Sequence, residues 1–299
     1  MNHRTILIAS IAFALFPVVA TAQTTIPAGT TGSAFSATTA GGSYILNLGD
    51  TRTFTGTTQA VTFGGADGPF TLTVNGSLIS NVAASRGVRG ATNNVTYNVT
   101  VGGSGLIQAF GDDAIQARNG TFNVTNNGTI YSGSDILSSP ITAIATGQAL
   151  DLASAVGGIV INNGLIRADG HDAVRLGSNM TMTNYGTVRT NGVVNDNSAN
   201  NVFNTAPNNS VATTFSANDG VSFEGGANSS LNNYGLITGS RHGTETDTGA
   251  TNIVLTNQAA GIIIGRNGSG FGSDATSAAV SNITVHNYGI IRGEFAGVG

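Results

Sequence analysis

The sequence predicts an all-β chain, a right-handed parallel β-helix with irregular loop insertions, and three observations carry that expectation. A short phrase recurs as VNGSLI, GSGLI, NNGTI, NNGLI, NYGTV, NYGLI and NYGII. Its glycines are Gly76, Gly105, Gly128, Gly164, Gly186, Gly235 and Gly289, with a degenerate copy, QAAGII, at Gly261. Consecutive spacings are 29, 23, 36, 22, 49, 26 and 28 residues, so the shortest look like a bare unit and the longer ones like the unit plus a loop. A second phrase precedes the first in DAIQARNGTFNVTNNGTI, DAVRLGSNMTMTNYGTV and DGVSFEGGANSSLNNYGLI, from Asp113, Asp172 and Asp219, and more weakly around Asp274. Between the two phrases, apolar and polar residues alternate in short runs, as a half-buried strand requires.

Composition supports a folded chain. Gly, Thr, Ser and Asn are abundant, but 40% of residues are hydrophobic and only 9% are charged, so the conditions for a disordered polar chain are not met. Eleven arginines, no lysine and a net charge of -4 exclude a nucleic-acid binder or a basic membrane-surface protein. There is no cysteine, so no disulfide staples the fold.

Taken in order, residues 1–22 read as a signal peptide: Arg4, an apolar run from Ile6 to Val19, and the small-x-small site Ala20-Thr21-Ala22 before Gln23. Its removal leaves 277 residues and, with Arg4 gone, a net charge of -5. Export without cysteine leans towards a bacterial secreted protein. Residues 23–74 read as an N-terminal leader and cap. Gln23 to Gly42 is a Thr/Ala/Gly/Ser-rich leader with little core, followed by strands in YILNLGDTRTFTG and AVTFGGADGPFTLTV.

Residues 75–299 read as the β-helix. Each rung carries three strands. In the first, Ile115/Ala117, Val174/Leu176 and Val221/Phe223 face inward, with Gln116, Arg175 and Ser222 outward. In the second, Phe122/Val124 and Met180/Met182 alternate with polar neighbours. In the third, Ile130, Ile166, Val188, Ile237 and Ile291 share one inward position. Three short strands per ~22 residues, stacked ~4.8 Å apart, make a parallel β-helix, whose right hand follows from that of parallel β connections. A propeller needs a longer, steadier period. Eight rungs, with one or two more in the irregular start, give a rod on the order of 40 to 50 Å long.

The Asn-Gly phrase reads as the turn between strands, where Asn and Gly tolerate left-handed backbone. Asn126, Asn162, Asn184, Asn233 and Asn287 form a candidate amide ladder. Asn127, Asn163, Tyr185, Tyr234 and Tyr288 lie beside it, the tyrosines as a stack that is structural or meets a sugar or partner. Three insertions follow: 131–156, where AIATGQALDLASA suggests a short helix; 191–215, an Asn-rich loop with Pro207; and 240–251, a polar loop with His242, Glu245 and Asp247.

A signal peptide followed by irregular rungs of the N-N/Y-G-x-I/V type resembles the passenger region of bacterial autotransporters, the type V secreted surface proteins. The resemblance covers roughly residues 75–299. It implies export to the cell surface or outside it, and a downstream outer-membrane barrel. The chain reaches IIRGEFAGVG, which reads as the opening of another rung, without barrel strands, so it is expected to be a truncated passenger, the alternative being a passenger-like protein released without an anchor.

Candidate chemistry is sparse. Asp113, Asp172, Asp219 and Asp274 share a rung position and could gather calcium, or cap their own turns through backbone N–H groups. Capping is the expectation. Arg167, Arg189 and Arg292 share an outward position near Asp169, Asp172 and Arg175, as a solvated face or as part of a polysaccharide-processing site. His171 beside Asp172 lacks a nucleophile phrase. Asn98 and Asn123 head N-x-T triplets that follow from composition. No catalytic, cofactor-binding or metal-binding residue is assigned, and no cofactor. The expected function is a non-catalytic exported rod, an adhesin or cell-surface interaction protein whose partners are surface glycans or proteins. The alternative is a carbohydrate-active β-helix enzyme, a lyase or hydrolase.

Overall fold

The computed structural model describes residues 22–64, 68–91, 94–133, 147–190, 218–266, 268–273, 280–293 and 296–298. Among these residues thirty strands form three parallel sheets of ten, and each sheet takes every third strand in chain order. Together they make a right-handed parallel β-helix of ten described rungs. Among the described residues there is no helix, and hence none long and apolar enough to cross a membrane. The expected signal peptide and Asn-rich insertion, and Asp274, lie outside the described residues.

Sheet A begins with Gln23–Thr25, sheet B with Gly29–Thr31 and sheet C with Phe35–Ala37. The segment expected as a leader therefore supplies the first strand of every sheet. Among the described residues each of these three strands pairs with one neighbour, in the following rung.

Every spacing between motif glycines, including 36 and 49, is one rung. Asn126 is in register with Asn162, and Asn184 with Asn233. The residues that lengthen these two rungs fall between a sheet B strand and the next sheet C strand, after Ser132 and after Thr190.

The core consists of columns of like side chains. In sheet B, Leu78, Ile107, Ile130, Ile166, Val188, Ile237 and Ile263 are fully buried, and Ile291 packs against them. In sheet A, Phe70, Tyr97 and Phe122 stack in register, with Tyr97 and Phe122 centroids 4.6 Å apart. Gly158 follows Phe122 in that column, and a Cβ there would lie 1.9 Å from the Phe122 carbonyl oxygen. The next rung refills the column with Met180.

Two local expectations are overturned. Leu150–Leu152, inside the segment expected to be helical, is a sheet C strand between Ile115–Gln116 and Val174–Leu176. Leu150 and Leu152 point inward and Asp151 outward, so a period-two slot in an existing sheet overrides local propensity. The supposed polar loop at 240–251 contains the sheet C strand Thr244–Thr246, whose inward residues are threonines rather than aliphatics.

The turn chemistry also differs from expectation. None of the eight motif glycines has a positive φ. Their role is close approach: a Cβ on Gly186 would lie 2.1 Å from the Gly164 carbonyl oxygen, and one on Gly235 equally close to that of Gly186. Left-handed backbone occurs instead at Asn179, Asn228, Asn252 and Asn282, each five residues before an amide-ladder asparagine, where sheet A begins. Their side chains form a second, exposed ladder through Asn228, Asn252 and Asn282.

Candidate functional site

Among the described residues, a cluster of ionisable side chains lies on the outer face of sheet C and its corner with sheet B. In-register pairing aligns Arg86, Asp113, Gln148, Asp172, Asp219, His242 and Ser269, each two residues before an inward side chain. Asp113 and Asp172 are therefore separated by a rung bearing Gln148, whereas Asp172 and Asp219 are direct neighbours.

The aspartates cap backbone N–H groups, but those of the next rung rather than their own turn. Asp113 accepts from the Gln148 N–H, Asp172 from the Asp219 N–H and Asp219 from the His242 N–H, each at 2.9 Å. His242 continues the pattern, its Nδ1 accepting from the Ser269 N–H at 2.9 Å. Sequence reasoning missed this role of His242. The signal was a small residue after the acceptor and an inward one next, as in DAV, DGV and HGT.

Beyond that column, Arg241 ties Asp219 to Glu245. Its Nε donates to Asp219 Oδ1 at 3.1 Å, one terminal nitrogen bonds Asp219 Oδ2, and the same nitrogen reaches Glu245 at 2.7 Å. Ser222 donates to Glu245 at 3.1 Å. Asp172 meets Arg175 at 3.7 Å, and Arg175 meets Glu224 at 2.5 Å. Asp219 is fully buried, and Asp172 and Glu245 are 7% and 3% exposed.

Burial dominates the acid–base behaviour of this face. Burial and the neighbouring Asp219 carboxylate push Asp172 up to about 7, and the same two causes push Glu245 up to about 9. Burial, with Asp151 and Asp112 nearby, raises Asp113 to about 8. His171 is lowered by burial and by Arg175, and its Nδ1 lies 3.2 Å from the Gln148 amide nitrogen.

Ligand atoms of Asp219, His242 and Glu245 lie within 4.8 Å of one another, close enough for a metal ion. The guanidinium of Arg241 bonds to both carboxylates, and His242 Nδ1 is taken by a backbone N–H. The donor set is thus directed at an internal cation, and a metal would have to displace it.

On the outer face of sheet B, Arg167 and Arg189 are adjacent in register, while Arg292 lies three rungs beyond Arg189 with Thr238 and Ile264 between. Arg167 pairs with Asp169 at 3.0 Å and sits 4.5 Å over the Tyr131 ring, whose hydroxyl donates to Asp169. The three expected arginines do not form one cluster.

The fold and this face define a class, a right-handed parallel β-helix with ionisable residues aligned on sheet C between Arg86 and His242. No protein-family model matches the chain, and neither a curated protein nor a solved structure does.

Proposed function

We propose that this chain is a non-catalytic, exported rod of the autotransporter-passenger kind, acting at a cell surface by contact. One observation carries the reading: the acids of sheet C are consumed in joining rungs. Asp113, Asp172 and Asp219 each hold a backbone N–H of the next rung, and Asp219 and Glu245 share Arg241. Groups so buried and so fully bonded stabilise a scaffold and have little left to offer a substrate. The test is incubation of the folded protein with pectin, alginate and neutral glycans while new reducing ends and unsaturated products are measured. Catalytic turnover sinks the reading.

A second reading, a carbohydrate-active enzyme, is favoured by the carboxyls of Asp172, Asp219 and Glu245 on three consecutive rungs, with Glu245 held protonated at neutral pH. In that case Glu245→Gln abolishes turnover while leaving the fold intact.

A further inference from the structure

The six tyrosines divide sharply. Tyr44, Tyr97 and Tyr131 are buried, whereas Tyr185, Tyr234 and Tyr288 are 55%, 40% and 66% exposed. All three exposed rings occupy the residue between a ladder asparagine and a motif glycine, at the corner between sheets A and B. Tyr185 and Tyr234 stand on adjacent rungs and stack, with centroids 4.9 Å apart and planes at 21°. Asn163 and Asn127 extend the column on one side, joined by an amide hydrogen bond of 2.8 Å, and Gln258 lies between Tyr234 and Tyr288.

The surroundings are almost free of charge. The flanking outward positions are Thr183, Asn232, Thr256 and His286 on sheet A, and Thr187, Leu236, Ile262 and Ile290 on sheet B. Ile290 is itself 56% exposed. The acids of the ionisable cluster lie on sheet C and at its corner with sheet B, and on sheet B the next outward positions beyond Thr187 and Ile290 carry Arg189 and Arg292.

We propose that this corner binds a neutral glycan lying along the rod axis, centred on the Tyr185–Tyr234 stack. The proposal rests on the reading of the chain as a contact scaffold and names its partner. Aromatic rings offer an apolar body to sugar C–H groups and a hydroxyl to sugar oxygens, and they lose little rotamer freedom on binding. The amides of Asn127, Asn163 and Gln258 supply donors and acceptors beside them. The outward positions that directly flank the rings carry no arginine to complement an acidic glycan, Arg189 and Arg292 standing one outward position further along sheet B. Three rings on a convex corner expose on the order of 300 Å², well below the ~800 Å² per partner of a stable protein interface. A linear sugar chain needs only such a narrow strip.

The test is affinity electrophoresis of the full chain through gels containing xyloglucan, galactomannan, dextran or glycogen. The chain has no tryptophan, so tyrosine fluorescence reports on the same contact. At least one polysaccharide should retard the protein with little dependence on salt. The double variant Tyr185→Ser/Tyr234→Ser should weaken binding about tenfold or more, and Tyr185→Phe/Tyr234→Phe should largely retain it. In the wild-type protein, tyrosine-ring NMR shifts on adding the matching oligosaccharide should be confined to Tyr185, Tyr234 and Tyr288, a readout independent of variant folding. Retardation by none of the four overturns the proposal, as does undiminished binding by a folded Ser variant or binding abolished by salt. Tyrosine-dependent self-association without glycan binding overturns it too. Cleavage of a bound glycan would instead count against the non-catalytic reading and leave the tyrosine contact standing.

Discussion

The side-chain amide of Asn184 donates to Oδ1 of Asn233 at 2.8 Å across 49 residues of sequence. Asn184 also accepts from Asn162 at 2.7 Å, and both bonds belong to a run from Asn126 through Asn257 to Asn287. Asn184→Val removes both bonds and leaves the Asn162 amide and the Asn233 carbonyl short of a buried partner. The expected loss is about 2–5 kcal/mol, read by denaturant unfolding. An unchanged midpoint would remove the ladder from the account of stability.

The turn glycines yield a prediction that separates crowding from backbone conformation. Gly186 faces the Gly164 carbonyl without a positive φ, while Gly225 has φ +63 and open space around its missing Cβ. Gly186→Ala and Gly186→Asn should both destabilise by about 3 kcal/mol or more, because backbone must move. Gly225→Asn should cost well under 1 kcal/mol, since Asn tolerates left-handed backbone. If Asn rescues position 186, conformation is the requirement there after all.

Thr244 and Thr246 are fully buried, and neither hydroxyl has a hydrogen-bond partner among the described residues. Valine keeps the shape and removes the unsatisfied group. Thr244→Val should raise stability by about 1–3 kcal/mol, seen as a higher melting temperature. A lower one would mean that the hydroxyl is satisfied in solution.

The acids of sheet C predict how stability varies with pH. Folded Asp172 titrates at about 7 and Asp113 at about 8, far above an unfolded aspartate. Between roughly pH 4 and those values the folded chain holds protons that the unfolded chain has released, so stability falls as pH rises through this window. The melting temperature should be higher at about pH 5 than at about pH 9, by an amount equivalent to a few kcal/mol. Asp113→Asn and Asp172→Asn should each flatten the slope. A melting temperature that rises with pH contradicts this assignment.

Much of the rod was legible because a parallel β-helix repeats one local solution. Five of the six ladder asparagines stood out, and Asn257 escaped only because its turn, NQAAG, is two residues longer than NYG. The strands at Leu150–Leu152 and Thr244–Thr246 were not legible. Three residues have little strand preference of their own, and an inward threonine looks polar until a sheet on either side is known to bury it.

The candidate site was less legible still. The sequence showed that Asp113, Asp172 and Asp219 share a rung position, but not that Gln148 and His242 occupy the same column. Nor could it show that Arg241 would bond to both Asp219 and Glu245.

The sequence by itself determined the fold class, the inward columns and the position of the turns, because strand alternation and a turn motif are encoded within one rung. Only the tertiary structure decided which rungs are neighbours, why the motif glycines cannot carry a side chain, and which acids lie close enough to hold protons at neutral pH. Those properties depend on distances between rungs, where residues 49 apart in the chain are one strand spacing apart in space.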